Sequence, residues 1–201
     1  MDELTLLQAV RLKGRVRPAD IAATLDDDEA AVDSAVKELT EAGLLMEGKT
    51  VRLSPDGRAR LTELLADERR HLDAKAFAQV YDDFRAVNRD FKSLVSDWQL
   101  RDGEPNDHGD ADYDGVVLGR LDDLHQSVLP ILTSATEQLP RLDAYTAKLS
   151  AALEKVHAGD TTWLTRPIID SYHTVWFELH EELIGAAGLT REDEARSGHA
   201  E

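Results

Sequence analysis

The apolar positions at the start of the chain follow a helical spacing that short turn segments interrupt. Leu4, Leu7 and Val10 recur at three-residue intervals, and Gly14 ends the pattern, which predicts a first helix. Proline fits the first turn of a helix because its missing N–H has no partner there. The segment Pro18–Leu25 is therefore predicted to form a second helix.

A third helix, a hairpin and a fourth helix are predicted over the next 30 residues. The acidic run 26–29 is typical of a helix N-cap and first turn, and Gly43 marks the end of this third helix. Two short apolar runs, 44–46 and 50–53, flank a glycine-containing turn and predict a hairpin. A capping serine followed by proline in Ser54–Gly57 predicts the start of the fourth helix.

The second half of the chain has a longer helical pattern. Apolar residues from Phe77 to Trp98 keep a spacing of three to four and predict one long amphipathic helix, followed by a polar loop over 102–112. Pro130 is expected to kink or end the helix that follows, and no hairpin is expected after Leu53. Three further helices are predicted around Tyr113–Val128, Leu142–Val156 and Tyr172–Leu183.

These elements predict a mainly α fold with two domains and a tail. Helix–helix–helix–hairpin–helix within 70 residues is the pattern of a winged helix, predicted over residues 1–70. Residues 71–190 are predicted to form an α-helical bundle that serves dimerisation or the binding of a ligand or partner. Residues 191–201 are expected to be a flexible acidic tail.

One segment of the N-terminal half resembles a known family. Gly43-Leu44-Leu45, followed by Val51-Arg52-Leu53-Ser54-Pro55-Asp56-Gly57-Arg58-Ala59-Arg60-Leu61, is similar to the end of the recognition helix, the wing and the next helix of MarR-type regulators. The resemblance covers roughly residues 4–70. It implies a winged-helix transcriptional regulator that acts on DNA, although the fold alone does not fix the function.

Composition excludes several classes of protein. The 201 residues contain no cysteine, so disulfides and thiolate-ligated metals are excluded. A hydrophobic fraction of 42% with 31% charged residues is typical of a globular chain. The acidic N-terminus is no signal peptide, and no apolar stretch is long enough for a membrane span, so a cytoplasmic location is expected.

The charge pattern bears directly on DNA binding. The net charge is −17, and the segment 26–41, which includes the predicted recognition helix, holds seven acids and a single base. Acids at that place would face phosphates at close range, which is unfavourable. Two interpretations stay open, contact with DNA through the remaining bases or a purely solvent-exposed role for them. The candidate DNA contacts are Arg15, Arg17, Lys37, Lys49 and Arg52.

Two patterns in the helical half suggest metal binding, and spacing weighs against both. The sequence from Asp110 to Gly115 matches the opening of an EF-hand loop, but its twelfth position is Leu121 instead of glutamate. His173 and His180 are seven residues apart, about 10.5 Å along a helix, too far for one ion. A set drawn from several helices, His125, His173 and His180, is kept as a hypothesis.

Other side chains in this half favour a ligand pocket or a bundle core. In the second interpretation the aromatics are buried and each histidine bonds to a neighbouring carboxylate. No nucleophile elbow, phosphate loop or dinucleotide fingerprint is present, so neither catalysis nor a cofactor is expected. The candidate ligand contacts are Trp98, Asn106, His108, Arg120, Arg141, His173, Glu178 and His180.

A second resemblance covers most of the chain. The segments that carry it include Tyr81–Phe84, Asp97–Arg101, Asn106–His108 and Asp170–Glu181. Together they resemble the C-terminal region of actinobacterial pyruvate,phosphate dikinase-like proteins, without the ATP-binding and phosphohistidine domains of that family. The resemblance implies an accessory module that associates with a phosphoenolpyruvate-utilising enzyme. It carries over no catalytic residue, and a homodimer is the expected assembly.

Overall fold

A computed structural model describes residues 1–46 and 48–190 of the chain. It divides into two compact units, Met1–Leu72 and Asp73–Glu201, where the sequence had placed the boundary after residue 70. The prediction of a mainly α chain is confirmed. Among the described residues, no helix combines the length and the apolar character needed to cross a membrane. The predicted tail, 191–201, lies outside the described residues.

The first unit begins with three helices whose starts and ends follow the local sequence. Its helices are α1 (Glu3–Lys13), α2 (Pro18–Leu25) and α3 (Glu29–Glu41). The Asp2 side chain caps α1, and Asp28 caps α3 by accepting from Ala31 N–H at 3.0 Å. These carboxylates satisfy N–H groups that have no partner within the helix.

A small hairpin and a fourth helix complete the first unit. The strands β1 (Leu45–Met46) and β2 (Arg52–Leu53) are antiparallel, and α4 (Pro55–Arg69) follows. A backbone bridge also joins Val16 to Val51, so the segment after α1 runs beside β2. Buried side chains from every element pack together: Leu6, Leu7, Val10, Val16, Ile21, Val32, Val36, Leu45, Val51, Leu53 and Leu61.

The start of α4 is fixed against the end of α3. The Ser54 hydroxyl accepts from Gly57 N–H at 2.9 Å and donates to the Gly43 carbonyl at 2.6 Å. Gly57 lies so close to the Leu44 backbone that an added Cβ would be 2.0 Å from the carbonyl oxygen. The glycine is therefore required by this close approach of two backbone segments.

The second unit contains a hairpin that the sequence analysis did not expect. After α5 (Ala74–Gln99), strands β3 (Leu100–Arg101) and β4 (Glu104–Pro105) pair antiparallel. Asp102 and Gly103 join them, with φ angles of 53° and 85°. Two consecutive residues with positive φ form the tight turn that Asp-Gly favours. The prediction of no hairpin after Leu53 is therefore wrong, because it overlooked this dipeptide.

Pro130 does not end its helix. The helix α6 (Ala111–Gln138) continues past it for eight residues. Proline removes one N–H and so leaves the carbonyl of Gln126 without its usual helical partner. Both residues are exposed, and water can take that partner's place.

The remaining helices close the bundle. A 3₁₀ turn (Pro140–Leu142) leads into α7 (Ala144–His157), followed by the short α8 (Thr162–Thr165), which was not predicted, and by α9 (Tyr172–Ala186). Residues along α5 pack on α9 in reverse order, from Tyr81 beside His180 to Phe91 beside Tyr172, so these helices are antiparallel. This packing buries the apolar stripe of each helix.

Candidate functional sites

Four arginines converge on one open pocket of the first unit. The pocket has a volume of about 360 Å³, and Val10 and Leu53, both buried, are its main apolar residues. None of the described residues that line it is acidic. The lining arginines come from α1, from the segment after it, from β2 and from α4: Arg11, Arg15, Arg52 and Arg58. We call this set with its apolar residues the arginine pocket.

Strand register sets two of these arginines side by side. Val16 and Val51 exchange both backbone hydrogen bonds, at 3.1 and 2.7 Å. In an antiparallel pair the next position places Arg15 opposite Arg52, on the face away from the buried valines. Like charges directly opposite each other on a sheet are destabilising. Their pairing is therefore a cost that a bound anion would offset.

Neutralisation by an acid separates Arg17 from three arginines of the pocket. Within residues 1–46 and 48–190, no ion pair is formed by Arg15, Arg52 or Arg58. By contrast, Asp20 holds the Arg17 guanidinium with both oxygens, at 2.6 and 2.7 Å. This hydrogen-bonded pair raises the pKa of Arg17 and lowers that of Asp20. Arg17, a predicted DNA contact, is thus occupied within the unit.

The other predicted DNA contacts lie outside the pocket. Lys49 is exposed in the turn of the β1–β2 hairpin. Lys37 is exposed on α3, and Asp33 and Glu41 lie four residues before and after it, which places both acids on its face of the helix. The acids at the start of α3 are also exposed, as expected: Asp27, Asp28 and Glu29.

In the second unit, a compact polar cluster forms where α5 meets α6. The Trp98 ring packs against the His108 ring, with centroids 4.3 Å apart and the planes tilted by 36°. The Asn106 amide donates to the Trp98 carbonyl at 3.2 Å and to Asp114 at 3.0 Å, and Asp114 also lies 3.0 Å from His108 Nδ1. His108 has a φ of 57°, and these contacts hold that uncommon conformation. Three predicted ligand contacts are thus brought together here.

Arg120 lies next to this cluster. Its guanidinium donates to Asp97 at 2.6 Å, and the Tyr113 hydroxyl donates to the Asp97 carbonyl at 2.9 Å. Arg101 lies over the Tyr113 ring at 4.9 Å and pairs with Asp110. The backbone hydrogen bond from Tyr113, then the Arg101 guanidinium and the backbone N–H of Asp112, lower the pKa of the Asp110 carboxyl. The polar side chains described here thus bind mainly to one another.

Other predicted ligand contacts lie towards the opposite end of α5. Arg141 donates to Glu182 at 2.7 Å, and both side chains are largely buried. Burial and this carboxylate raise the pKa of Tyr145, whose hydroxyl lies 3.5 Å from Glu182. A buried arginine–carboxylate pair with a hydroxyl neighbour is a structural element that costs free energy if one partner is removed.

His180 and Glu178 share this region, whereas His173 lies further along α9. The ring of His180 is 3.3 Å from the Tyr81 hydroxyl and packs against Phe84. Glu178 is buried one helical turn from Glu182, and His173 packs against Phe91. Asp97, the partner of Arg120, lies sixteen positions after Tyr81 on α5, which is roughly 24 Å along the helix. The eight candidates therefore do not form one pocket.

His125, the third metal candidate, contacts neither His173 nor His180 among the described contacts; its nearest polar partner is Tyr172. Its Nδ1 lies 3.1 Å from the hydroxyl of Tyr172, and its Nε2 lies 3.5 Å from Ser150. Burial lowers the pKa of His125 and raises that of Tyr172. Within residues 1–46 and 48–190, no three His, Cys, Asp or Glu side chains are grouped to hold a metal ion. The structure does not bring His125, His173 and His180 together.

Comparisons with models of protein families, with curated proteins and with solved structures found no match for this chain. Function is therefore inferred from the residues of these sites and their geometry.

The buried position of His125 predicts a pH-dependent stability. An unfolded His125 takes up a proton near pH 6.5, whereas burial keeps the folded ring neutral to lower pH. The unfolded state thus binds more protons, and the free energy of unfolding falls as the pH drops below about 6.5. Urea unfolding at pH 7.5, 6.5 and 5.5 measures this. His125→Gln should lose less stability over the same range, and an equal loss would contradict the assignment.

Sequence analysis missed several members of these sites, among them Arg11 of the arginine pocket. Arg58 was left out of the predicted contacts, although its place one turn into α4 puts it near the exposed face of β2. Asp114 was not among the predicted ligand contacts. A signal for Arg58 was present in the alternation of β2. Because Arg52 is exposed between buried Val51 and Leu53, its side chain marks the charged face of the strand, next to which Arg58 lies.

Proposed function

We propose that this chain is a winged-helix regulatory protein that contacts the DNA backbone with the arginine pocket and the turn of the β1–β2 hairpin. The order of elements in the first unit supports the winged-helix arrangement, since three helices, a hairpin and a fourth helix follow one another. A third backbone segment also pairs with Val51, the residue before β2. The resemblance of residues 43–61 to MarR-type regulators is consistent with it.

The observation that carries the proposal is the convergence of Arg15, Arg52 and Arg58 without an acidic partner among the described residues. Guanidinium groups that are not neutralised by neighbours remain available to phosphate oxygens. The exposed acids of α3 oppose a role for that helix in the major groove. We therefore expect contacts with phosphates and little discrimination between base sequences.

Titration of the full chain against a fluorescent random-sequence duplex tests this proposal. At physiological salt we expect a dissociation constant of roughly 10⁻⁴–10⁻⁶ M, as is typical of phosphate-dominated binding, and tighter binding at low salt. With three phosphate contacts, log K should fall with log salt at a slope of about −3. Arg52→Gln should weaken binding severalfold and reduce this slope by about 1.

Two variants serve as controls for charge alone. Arg89→Gln removes the same charge from an exposed position on α5, and Arg17→Gln removes an arginine already bound to Asp20. Both should bind DNA as the parent chain does. No binding at high micromolar protein and low salt would overturn the proposal, and so would equal weakening by Arg52→Gln and Arg89→Gln.

The exposed acids of α3 favour a second function, an interaction module without DNA binding. A surface carrying Asp27, Asp28, Glu29 and Asp33 is complementary to a basic protein surface. The resemblance to dikinase-like proteins suggests a phosphoenolpyruvate-utilising enzyme as the partner. If so, replacing Asp33 and Glu29 with asparagine and glutamine should abolish co-purification of that enzyme, while Arg52→Gln should not. A homodimer remains a prediction that sedimentation of the purified chain can test.

A further inference from the structure

The arginine pocket has the shape and chemistry of a small-anion site as well as of a DNA-contacting surface. It is concave, with a volume of about 360 Å³, and combines four guanidinium groups with apolar residues. A convex surface would be sufficient for contact with DNA phosphates. A pocket with several convergent donors can instead surround a single anion and remove it from water.

The number and the type of donors favour a tetrahedral oxyanion with two charges. Each guanidinium presents N–H groups in a planar fork that matches two phosphate oxygens. Arg15 and Arg52 lie opposite each other on the exposed face, and Arg58 approaches from the first turns of α4. Three forks from three separate backbone segments can bind different oxygens of one ion.

The charges around the arginine pocket also favour a bound anion. None of the described lining residues is acidic, and no ion pair within the described chain neutralises Arg15, Arg52 or Arg58. The neighbouring Arg11 is held in place through its Nε, which donates to the buried Gln8 at 3.0 Å. Close like charges repel one another, and a bound dianion turns this repulsion into attraction.

We propose that the arginine pocket binds one phosphate-class dianion, free phosphate or a phosphate monoester, and that this ion competes with the DNA backbone for the same guanidinium groups. The competition rests on the proposed function, whereas the binding of the ion does not. Such a site would release the chain from DNA when the phosphorylated ligand is abundant. DNA contact and anion binding are then alternative states of one surface.

Nuclear magnetic resonance of the full chain with inorganic phosphate tests the binding. Phosphate is added while chloride is withdrawn to hold the ionic strength constant. The Nε–H resonances of the pocket arginines should shift as phosphate is added, and the change should level off at high phosphate concentration. Arg58→Gln should weaken binding about tenfold, because it removes one charge-assisted fork. Arg58→Lys keeps the charge without the fork and should also weaken it, whereas Arg89→Gln should not.

The same samples, titrated with labelled duplex, separate this proposal from the proposed function. If phosphate binds saturably and weakens DNA binding at constant ionic strength, both proposals are supported. Saturable phosphate binding by a chain that binds no duplex supports the anion site and overturns the DNA proposal. No saturable shift with phosphate beyond that seen with chloride overturns the anion site, even if DNA is bound. If Arg58→Gln binds phosphate as tightly as the parent chain does, the anion site does not lie in the arginine pocket.

Discussion

Gly57→Ala is expected to unfold the first unit at denaturant concentrations that leave the parent chain folded. The added Cβ would lie 2.0 Å from the Leu44 carbonyl oxygen and 2.9 Å from its carbon. Both atoms belong to the backbone, so no side chain can move aside. Separation of α4 from the end of α3 should cost at least about 2–3 kcal/mol, the upper range for overpacking.

This result would reverse the usual effect of the substitution. In the interior of an exposed helix, replacing glycine with alanine stabilises by roughly 0.5–1 kcal/mol. Gly119 in α6 is the matched control, because its added Cβ meets no other atom within 4 Å. Amide hydrogen exchange, followed on peptides from each unit, separates the two effects. Gly57→Ala should reduce protection in the first unit only, and unchanged protection there would contradict the close approach.

Trp176→Ala is expected to have the largest effect on the second unit. The indole is buried and packs on Phe91, Phe84 and Tyr172, with ring centroids 4.5, 5.1 and 6.1 Å away. Its Nε1 donates to the buried Asn88 at 2.9 Å. Truncating a core tryptophan costs about 3–5 kcal/mol, and an unsatisfied amide oxygen adds about 1–3 kcal/mol if no water reaches it.

Phe177→Ala is the matched control for this variant. Phe177 follows Trp176 on the same helix but is 39% exposed. Its truncation removes an aromatic ring of similar character with much less loss of buried area, so the cost should be well below that of Trp176→Ala. Urea unfolding of both variants, followed by circular dichroism, measures the difference. Similar costs would show that the indole is not the centre of this core.

Gly57→Ala also serves as a reference for the functional tests, because it distinguishes loss of binding from loss of the fold. The arginine substitutions change exposed side chains, so they should leave hydrogen exchange in the first unit unchanged. Gly57→Ala shows what loss of the fold looks like in the same measurement. A variant such as Arg52→Gln that loses DNA or phosphate binding with full protection has therefore lost the contact and not the structure.

Most helix boundaries could be predicted because they depend on local chemistry. Asp28 and Ser54 cap α3 and α4, as their positions before the helices indicate, and Pro18 and Pro55 lie at first helical positions. The errors also had local causes. The Asp102-Gly103 turn was overlooked. Pro130 was expected to kink or end α6, and the helix does not end there, because a helix can pass a proline whose freed carbonyl is exposed.

The candidate sites could be predicted only in part, because convergence depends on register and packing. Exposure of Arg52 follows from the alternation of β2, but its position opposite Arg15 depends on the bridge between Val16 and Val51. The sequence grouped Arg120 with Arg141 as ligand contacts. The structure instead gives each its own carboxylate, Asp97 and Glu182. No periodicity indicates which acid will meet which base.

The sequence by itself determined that the chain is mainly helical, where most of its helices begin and end, and that the start of α3 is acidic. These properties follow from nearest neighbours along the chain, through capping, spacing and charge. Only the tertiary structure decided which arginines meet at one pocket, since Arg11, Arg15, Arg52 and Arg58 lie on four segments that only folding brings together. It also divided the polar residues of the helical unit into two separate clusters, because the length of α5 keeps them apart.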